Sequence, residues 1–328
     1  MMAITAKDIS ELRKATGAGM MDCKAALKES DGDFDGALDY LRKKGQKVAA
    51  KRADRDANEG VVVALMNDAG NRGLLLAVSC ETDFVAKNDD FVAFVNSLAQ
   101  LAADNGVDTK EALLDLPYEG STVREKLVEK TGVIGEKIEV SDFHVVEGEN
   151  LTSYIHAGSK IGVLVSYKDG GNAEAAQFFR SVAMHIAAMS PSILRPEEFD
   201  EDFVVKETEA LRAQIIAENE LNEKENLGKP QKNVPQYASK RQLTAEVMAK
   251  AEEDIKAQLK AEGKPEKIWD KIIPGKLERF VADNTLLDLE RCLLSQVFAL
   301  DDTKTVEQAV KDLGDEAEII EFRRVAVG

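Results

Sequence analysis

Cysteine is scarce in this chain. Only Cys23, Cys80 and Cys292 occur in 328 residues, an odd number, widely separated and with no CxxC spacing. That pattern supports neither a disulfide framework nor a structural zinc site. Histidine is equally rare, and His144, His156 and His185 form no HxxxH or HExxH pair, which removes the common metal-binding spacings. His185, on the apolar stretch from Val182 to Ala188, reads as a packed, hydrogen-bonded side chain. No run of about 18 apolar residues exists, so no membrane-spanning helix is expected. Neither a signal peptide nor an Arg-rich transit segment is expected at Met1. GxxxxGK[ST], GxGxxG after a strand and GxSxG are all missing, leaving no nucleotide cradle and no activated nucleophile.

Positive charge is in deficit: 43 Lys+Arg against 60 Asp+Glu give a net charge of −17. A grip on nucleic acid needs a concentrated basic surface, so that function class is excluded. The densest basic stretch, from Arg42 through Lys43, Lys44 and Lys47 to Lys51 and Arg52, reads as a helix end and a solvated linker. The run Asp31-Gly32-Asp33-Phe34-Asp35-Gly36 opens like a calcium loop, but its twelfth position is Arg42, a cation where the ion needs a bidentate carboxylate. The Asp residues are expected to cap a helix instead. The Asn150-Leu151-Thr152 sequon is expected to be inert in a reducing compartment. The expectation is a cytoplasmic protein with no metal, no cofactor and no bond-making chemistry.

What is present is a strong segmental pattern. Residues 1–45 read as three short helices: one from Thr5, with Asp8 three residues on, to Gly17; one from Met21 to Ser30; and one from Phe34 to a stop at Gly45. Residues 46–58 read as a linker. Then Val61–Leu65 and Leu74–Val78 flank Asn67-Asp68-Ala69-Gly70-Asn71, a hairpin signature, followed by helical spacing at Phe91, Phe94, Val95, Leu98 and Leu101. The plan returns with Ser153–His156 and Ile161–Val165 around Gly158-Ser159-Lys160. The following helix aligns Phe178, Ser181, Val182, Ala183 and Ala187 with Phe94, Ser97, Leu98, Ala99 and Ala103. Thr122–Leu127 before Ile138–Phe143 is matched by Thr305–Val310 before Ile319–Phe322. A duplicated hairpin–helix–helix–strand core in an α+β fold follows, with copies at 59–149 and at 150–202 plus 263–328. Apolar seams at Val204, Leu211 and Ile215, and at Leu243, Val247, Ala251, Ile255 and Leu259, predict an inserted antiparallel coiled-coil hairpin over 203–262; the alternative is two helices packed flat on the body.

One segment carries more than a core requires. Glu81-Thr82-Asp83-Phe84-Val85-Ala86-Lys87-Asn88-Asp89-Asp90 sets a carboxylate and a bulky aromatic side by side at a strand-to-helix corner. In one reading Thr82 or Asp83 caps a helix and Phe84 tucks into the core. In the other, Phe84 is a wedge for a partner's pocket, and Asp83 disturbs a bound cation or phosphate by like-charge repulsion and competing hydrogen bonds.

Four stretches together closely resemble the bacterial elongation factor Ts family, the nucleotide-exchange factors of elongation factor Tu. They are Leu12-Arg13 with Thr16-Gly17-Ala18-Gly19-Met20-Met21-Asp22-Cys23-Lys24; Glu81–Asn88; His185-Ile186-Ala187-Ala188-Met189 with Pro191; and Gly263-Lys264-Pro265-Glu266-Lys267-Ile268. The resemblance implies that residues 1–45 form a ubiquitin-associated-like domain docking on the partner's G domain, through Leu12, Arg13, Thr16, Gly17, Met20 and Met21. It implies that Thr82, Asp83, Phe84 and Val85 displace magnesium, and that His156 faces another domain of the partner. The pattern departs from the family in a longer insert and in Gln296-Val297-Phe298, where Gln-Pro-Phe is usual. A C-terminal helical module seen in some relatives is not expected after Gly328. Homo-dimerisation is left open. The competing reading is a coiled-coil scaffold or holdase without exchange activity, which gives no reason for Thr82–Val85.

Overall fold

The computed structural model describes residues 4–226 and 228–328; residues 1–3 of the expected docking domain and residue 227 of the expected insert lie outside the described residues. The chain forms two compact units. One takes the chain up to Asp169 together with Ala176–Ala187 and Ile319–Gly328, and the other takes Gly170–Ala175 and Ala188–Glu318. The architecture is mixed helix and sheet, in agreement with the α+β expectation. Among the described residues no helix is long and apolar enough to cross a membrane.

The first unit opens with α1 (Ala6–Thr16), α2 (Met20–Glu29) and α3 (Phe34–Arg52). The Thr5 hydroxyl accepts from Asp8 N while Asp8 accepts from Thr5 N, a capping box, and Gly17 closes α1 at φ 68°. Asp33 caps α3 by accepting from Gly36 N at 2.7 Å, the use expected for that acidic run. Leu12, Ala18, Cys23, Ala26, Leu27 and Ala37 form this module's own small core.

Next come β1 (Glu59–Met66), β2 (Arg72–Cys80), α4 (Asp83–Ala86), α5 (Asp89–Asn105), α6 (Lys110–Asp115), β3 (Pro117–Tyr118), β4 (Ser121–Thr122), α7 (Val123–Ile134) and β5 (Glu139–Glu147). The strands β1, β2 and β5 form an antiparallel sheet with β2 in the middle. Side chains alternate along a strand. Val61, Val63, Leu74, Leu76 and Val78 therefore meet α5 and α7 on one face, while Val62, Leu75 and Ala77 point to the other.

That second face packs on the sheet of the second copy. After β6 (Asn150–His156), β7 (Ile161–Asp169) and α8 (Ala175–Met189), the chain leaves through α9 (Glu201–Lys224), α10 (Ala245–Ala261), α11 (Trp269–Asp283) and α12 (Leu286–Arg291). It returns with β8 (Val297–Phe298), β9 (Asp301–Thr305), α13 (Val306–Lys311) and β10 (Ala317–Ala326). The second sheet has the order β10-β7-β6, with its hairpin strand β7 in the middle as β2 is in the first. In both copies a two-strand clip precedes a helix opened by a capping box, Thr122 with Glu125 and Thr305 with Gln308. Leu151, Leu164, Val325 and Val327 meet Val62, Leu75, Ala77 and Val146 between the sheets.

Two sequence expectations need correcting. Gly45 does not stop the third helix, and 46–52 is not linker: α3 continues to Arg52. Gly45 is buried against α7, where a Cβ on Gly132 would stand 2.5 Å from Gly45 Cα. Glycine here serves backbone approach between two helices, not termination. The paired helices of the insert also differ. The helix packed along α10 is α11, reached through Gly263 at φ 69°, with Leu259 and Ile273 buried and Lys276 Nζ 3.2 Å from Gln258 Oε1. The chain after α9, held non-helical around Pro230 and Pro235, runs back along α9 itself. Asn219 exchanges two hydrogen bonds with Lys232, both at 2.8 Å. Val204 and Leu211 pack with Phe199, Ala238 and Leu287.

The helix crossing makes a test with two signs. Gly132→Ala forces backbone apart and is expected to lower stability by about 1–3 kcal/mol. Gly275→Ala, in α11 with no atom within 4 Å of the added methyl, is expected to raise it by about 0.5–1 kcal/mol. Urea unfolding of both variants checks this; equal midpoints would remove the close crossing.

Candidate functional site

The segment Thr82–Val85 stands where β2 ends. Chain and core treat its residues oppositely. Val85 packs on the core of the first sheet and Ala86 is buried there, which pins α4 to β1, β2 and α5. Phe84, between them in sequence, is 83% exposed. A helix of four residues has no stability of its own, so this outward aromatic is held by its neighbours' burial. The reading in which Phe84 tucks into the core is overturned. Asn88 then caps α5, accepting from Asp90 N at 3.0 Å and Phe91 N at 3.2 Å.

Asp83 faces solvent beside Phe84 and accepts from Lys87 Nζ at 2.6 Å, one turn on. This bond, aided by the charge of Lys87 and of Lys160, holds the Asp83 carboxyl below the usual carboxylate range; Lys87 is raised in return. Thr82 occupies the N-cap position, yet its hydroxyl makes no cap bond and donates to Glu136 Oε1 at 2.7 Å. Glu136 Oε2 accepts the N–H groups of Glu81 and Thr82 at 3.1 and 3.0 Å. Glu81 accepts from Lys137 N at 2.7 Å, Arg52 Nη1 at 2.7 Å and Arg55 Nη1 at 3.2 Å. Burial pushes the Glu81 carboxyl up, but these three donors outweigh it and leave it lowered. Cys80 is buried with its thiol 3.3 Å from Thr82 O, and burial pushes it up to about 12, so it is a packing residue and no nucleophile.

The second candidate region lies near the same end of the β1–β2 hairpin, where Glu59 pairs with Cys80. The β6–β7 turn rests on β1: Ser159 O accepts from Val62 N at 2.7 Å, and Lys160 Nζ is 2.7 Å from Glu59 Oε2. Lys160 is also the hairpin's charge within reach of Asp83. Ala157, Gly158 and Ser159 all have positive φ, at 54°, 64° and 69°, a sharp turn that leaves His156 exposed at its edge. His156 Nδ1 is 3.0 Å from the Tyr154 hydroxyl, with the rings 5.7 Å apart.

The six expected docking residues divide. Met20 and Met21 open α2 and are 61% and 74% exposed, and Arg13 is exposed in the last turn of α1. Leu12 is fully buried, so it shapes the module from within and cannot touch a partner. Thr16 donates to Leu12 O at 2.7 Å and accepts from Ala18 N at 3.2 Å, bending the chain into α2. Thr16 and Gly17 line a groove of about 550 Å³ against Gly132 and Val133 of α7. Thr16 is half-buried and Gly17 exposed at that groove. Sequence reasoning missed Glu136, Arg52 and Arg55; only the closeness of residues 81 and 136 in the fold reveals them.

Comparison with known proteins identifies the family. The sequence profile described as "Elongation factor TS" matches residues 81–234 and 232–328. The chain is similar to proteins named Elongation factor Ts from three organisms. Identity is 69% to that of Rhodopirellula baltica, over the full length of both chains (100% of each). It is 49% to that of Flavobacterium johnsoniae, again over 100% of each. It is 44% to that of Campylobacter hominis, over 100% of this chain and 95% of the other. These matches place the chain in a class of translation elongation factor. The chain belongs to the elongation factor Ts family.

The Asp83–Lys87 bond has a pH signature. Because the folded carboxyl titrates below its ordinary value, the bond's contribution is complete above the ordinary range and fades as pH falls through the lowered value. Lys87→Met is expected to move the Asp83 titration midpoint upward, read by NMR of the side-chain carboxyl. An unmoved midpoint would mean that the bond does not form in solution.

Proposed function

We propose that this protein binds the GDP form of elongation factor Tu and speeds release of GDP, using Thr82–Val85 as the wedge, in the cytoplasm and without bond-making chemistry. The observation that carries the reading is Phe84: a large apolar side chain held outward by buried neighbours, with a carboxylate beside it. Burying such a side chain in a partner's pocket releases about 1.5–3 kcal/mol. Asp83, brought to a magnesium–phosphate site, adds negative charge next to phosphate and offers oxygen ligands that compete for the ion.

Exchange of this kind is catalysis by coupling. A factor that binds the nucleotide-free partner better than the GDP-bound partner must weaken GDP by the same ratio. A ~10⁴-fold acceleration requires the release barrier to fall by about 5.4 kcal/mol. One aromatic does not supply that. Met20, Met21 and Arg13 on the helical module and His156 on the β6–β7 turn supply binding energy away from the nucleotide, which the wedge converts into weakening of GDP.

The test is release of a fluorescent GDP analogue from purified elongation factor Tu. Wild type is expected to accelerate it, and the Asp83→Ala/Phe84→Ala double variant to lose most of that acceleration while its unfolding midpoint falls only slightly, since Phe84 is exposed and Asp83 gives up one surface ion pair. Full activity in the double variant would rule out the wedge. A scaffold without exchange activity predicts no acceleration by wild type, and loss of partner binding on deletion of the α10–α11 hairpin alone.

A further inference from the structure

We propose that Glu136 is the positioning residue of the wedge: its carboxylate, clamped reciprocally with Glu81, fixes the direction in which Thr82–Val85 is presented. The inference rests on the exchange reading above, and it concerns a residue outside the wedge segment itself.

The antiparallel ladder between β2 and β5 ends at Ser79 and Glu139. Beyond it the two chains continue side by side with no backbone pairing in that register, and side chains take over. Gly135, at φ 80° after α7, turns the chain so that Glu136 aims back at β2. One of its oxygens receives two successive N–H groups, those of Glu81 and Thr82, and the other receives the Thr82 hydroxyl. In return Glu81 receives Lys137 N. Two adjacent residues on each chain thus bind each other's backbone through carboxylates. Hydrogen bonds to an ionised acceptor are shorter and stronger than neutral ones, which suits a joint that lies at the protein's edge.

The consequence for α4 is specific. Thr82 is the residue from which α4 starts, and an N-cap threonine ordinarily turns its hydroxyl onto the helix's own N–H groups. Here that hydroxyl is spent on Glu136, so the orientation of α4 about its entry point is set by a side chain 54 residues away. Val85 and Ala86 fix the far end in the core. With both ends held, Phe84 has one direction. The Glu81 Oε1 that accepts Lys137 N also accepts from Nη1 of Arg52, the last residue of α3, and Glu81 Oε2 accepts from Arg55 Nη1. The clamp therefore also joins the wedge's root to the long helix of the docking module.

Two measurements test the role, one of them independent of any partner. In Glu136→Ala, hydrogen exchange of the Glu81 and Thr82 amides is expected to quicken about tenfold or more, the loss of charged hydrogen bonds, while amides of β1 and α5 stay protected. In the GDP-release assay the maximal rate is expected to fall about tenfold or more, and the half-saturating concentration to stay within about twofold, because docking surfaces are untouched. Glu136→Gln is expected to restore both readouts, since its amide oxygen accepts the two N–H groups and its NH₂ donates to the Thr82 oxygen. Unchanged amide exchange in Glu136→Ala, or a loss confined to the half-saturating concentration, overturns the proposal. Should the alanine variant fail to fold, Thr82→Val removes the hydroxyl bond alone; exchange of the Glu81 and Thr82 amides quickened about threefold supports the clamp, and unchanged exchange sinks it. The two readings fail separately. If wild type does not accelerate release, the exchange reading falls and the amides still decide the clamp. If wild type is active, the Asp83/Phe84 double variant is not, and Glu136→Ala matches wild type, only the positioning role falls.

Discussion

Everything in the first unit depends on the face-to-face contact of its two sheets. The first sheet is buried on both sides, by helices on one and by the second sheet on the other, and this explains why β1 and β2 read as unbroken apolar runs where a half-exposed strand would alternate. Each buried valine or leucine there contributes about 1.5–3 kcal/mol. The contact is also unusually close, because Gly162 offers Val62 no side chain: a Cβ there would meet Val62 Cγ1 at 2.6 Å. Gly73 likewise gives room to Leu164 and Leu151. Small residues opposite large ones let the sheets interlock. The β6–β7 turn is thereby laid over β1, and the end of β2 is aimed at the place where α4 must begin.

Charge is arranged around that frame to serve presentation. A chain of net charge −17 has carboxylates to spare, and near the corner they are used in three distinct ways. Glu81 and Glu136 bind backbone N–H groups and so replace a ladder. Glu59 pairs with Lys160 and fastens the turn that carries His156. Asp83 stays at the surface, bonded to Lys87. The first two uses are structural and half-buried. The third is a weak, solvent-screened bond, which a partner's cation can replace. Aspartate at 83 is therefore available in a way that Glu81 and Glu136 are not, although all three lie within a few residues of one another in space.

The duplication was legible because it is written in local chemistry: turn residues between apolar runs, helices at a constant offset, and Thr-led capping boxes before both final strands. The site was legible in part. An aspartate and a phenylalanine together at a strand end have no obvious packing role, and the fold shows Phe84 outside. What misled is equally physical. Glycine marks both a helix stop and a close helix crossing, and at Gly45 only the approach of α7 distinguishes them. Leu12 sits in a motif beside exposed residues but points inward, since α1 needs an apolar face for a three-helix core. The seams of α9 and α10 were each real, yet Pro230 and Pro235 let the intervening chain cover α9, leaving α10 to α11, whose Pro274 and Gly275 disguise it as non-helical. Glu136 had no local signal, because its meaning is a distance to Glu81 that only the closed sheet creates.

On the proposed exchange reading, these features explain why a protein acting on a partner's nucleotide site would need no nucleotide-binding motif of its own. An exchange factor must hold a shape that the GDP-bound partner cannot accommodate. Its working free energy is the difference between two complexes, so rigidity at the wedge matters more than reactivity. A soft wedge would yield to the partner and leave GDP in place. The structure puts stiffness where that demand is greatest: α4 is too short to support itself and is fixed from outside at each end, by Glu136 at Thr82 and by the core at Val85 and Ala86. The helical module reaches the same point through Arg52 and Arg55, so on the proposed reading a load on Phe84 would pass into both the sheet and α3 instead of being lost in a loop.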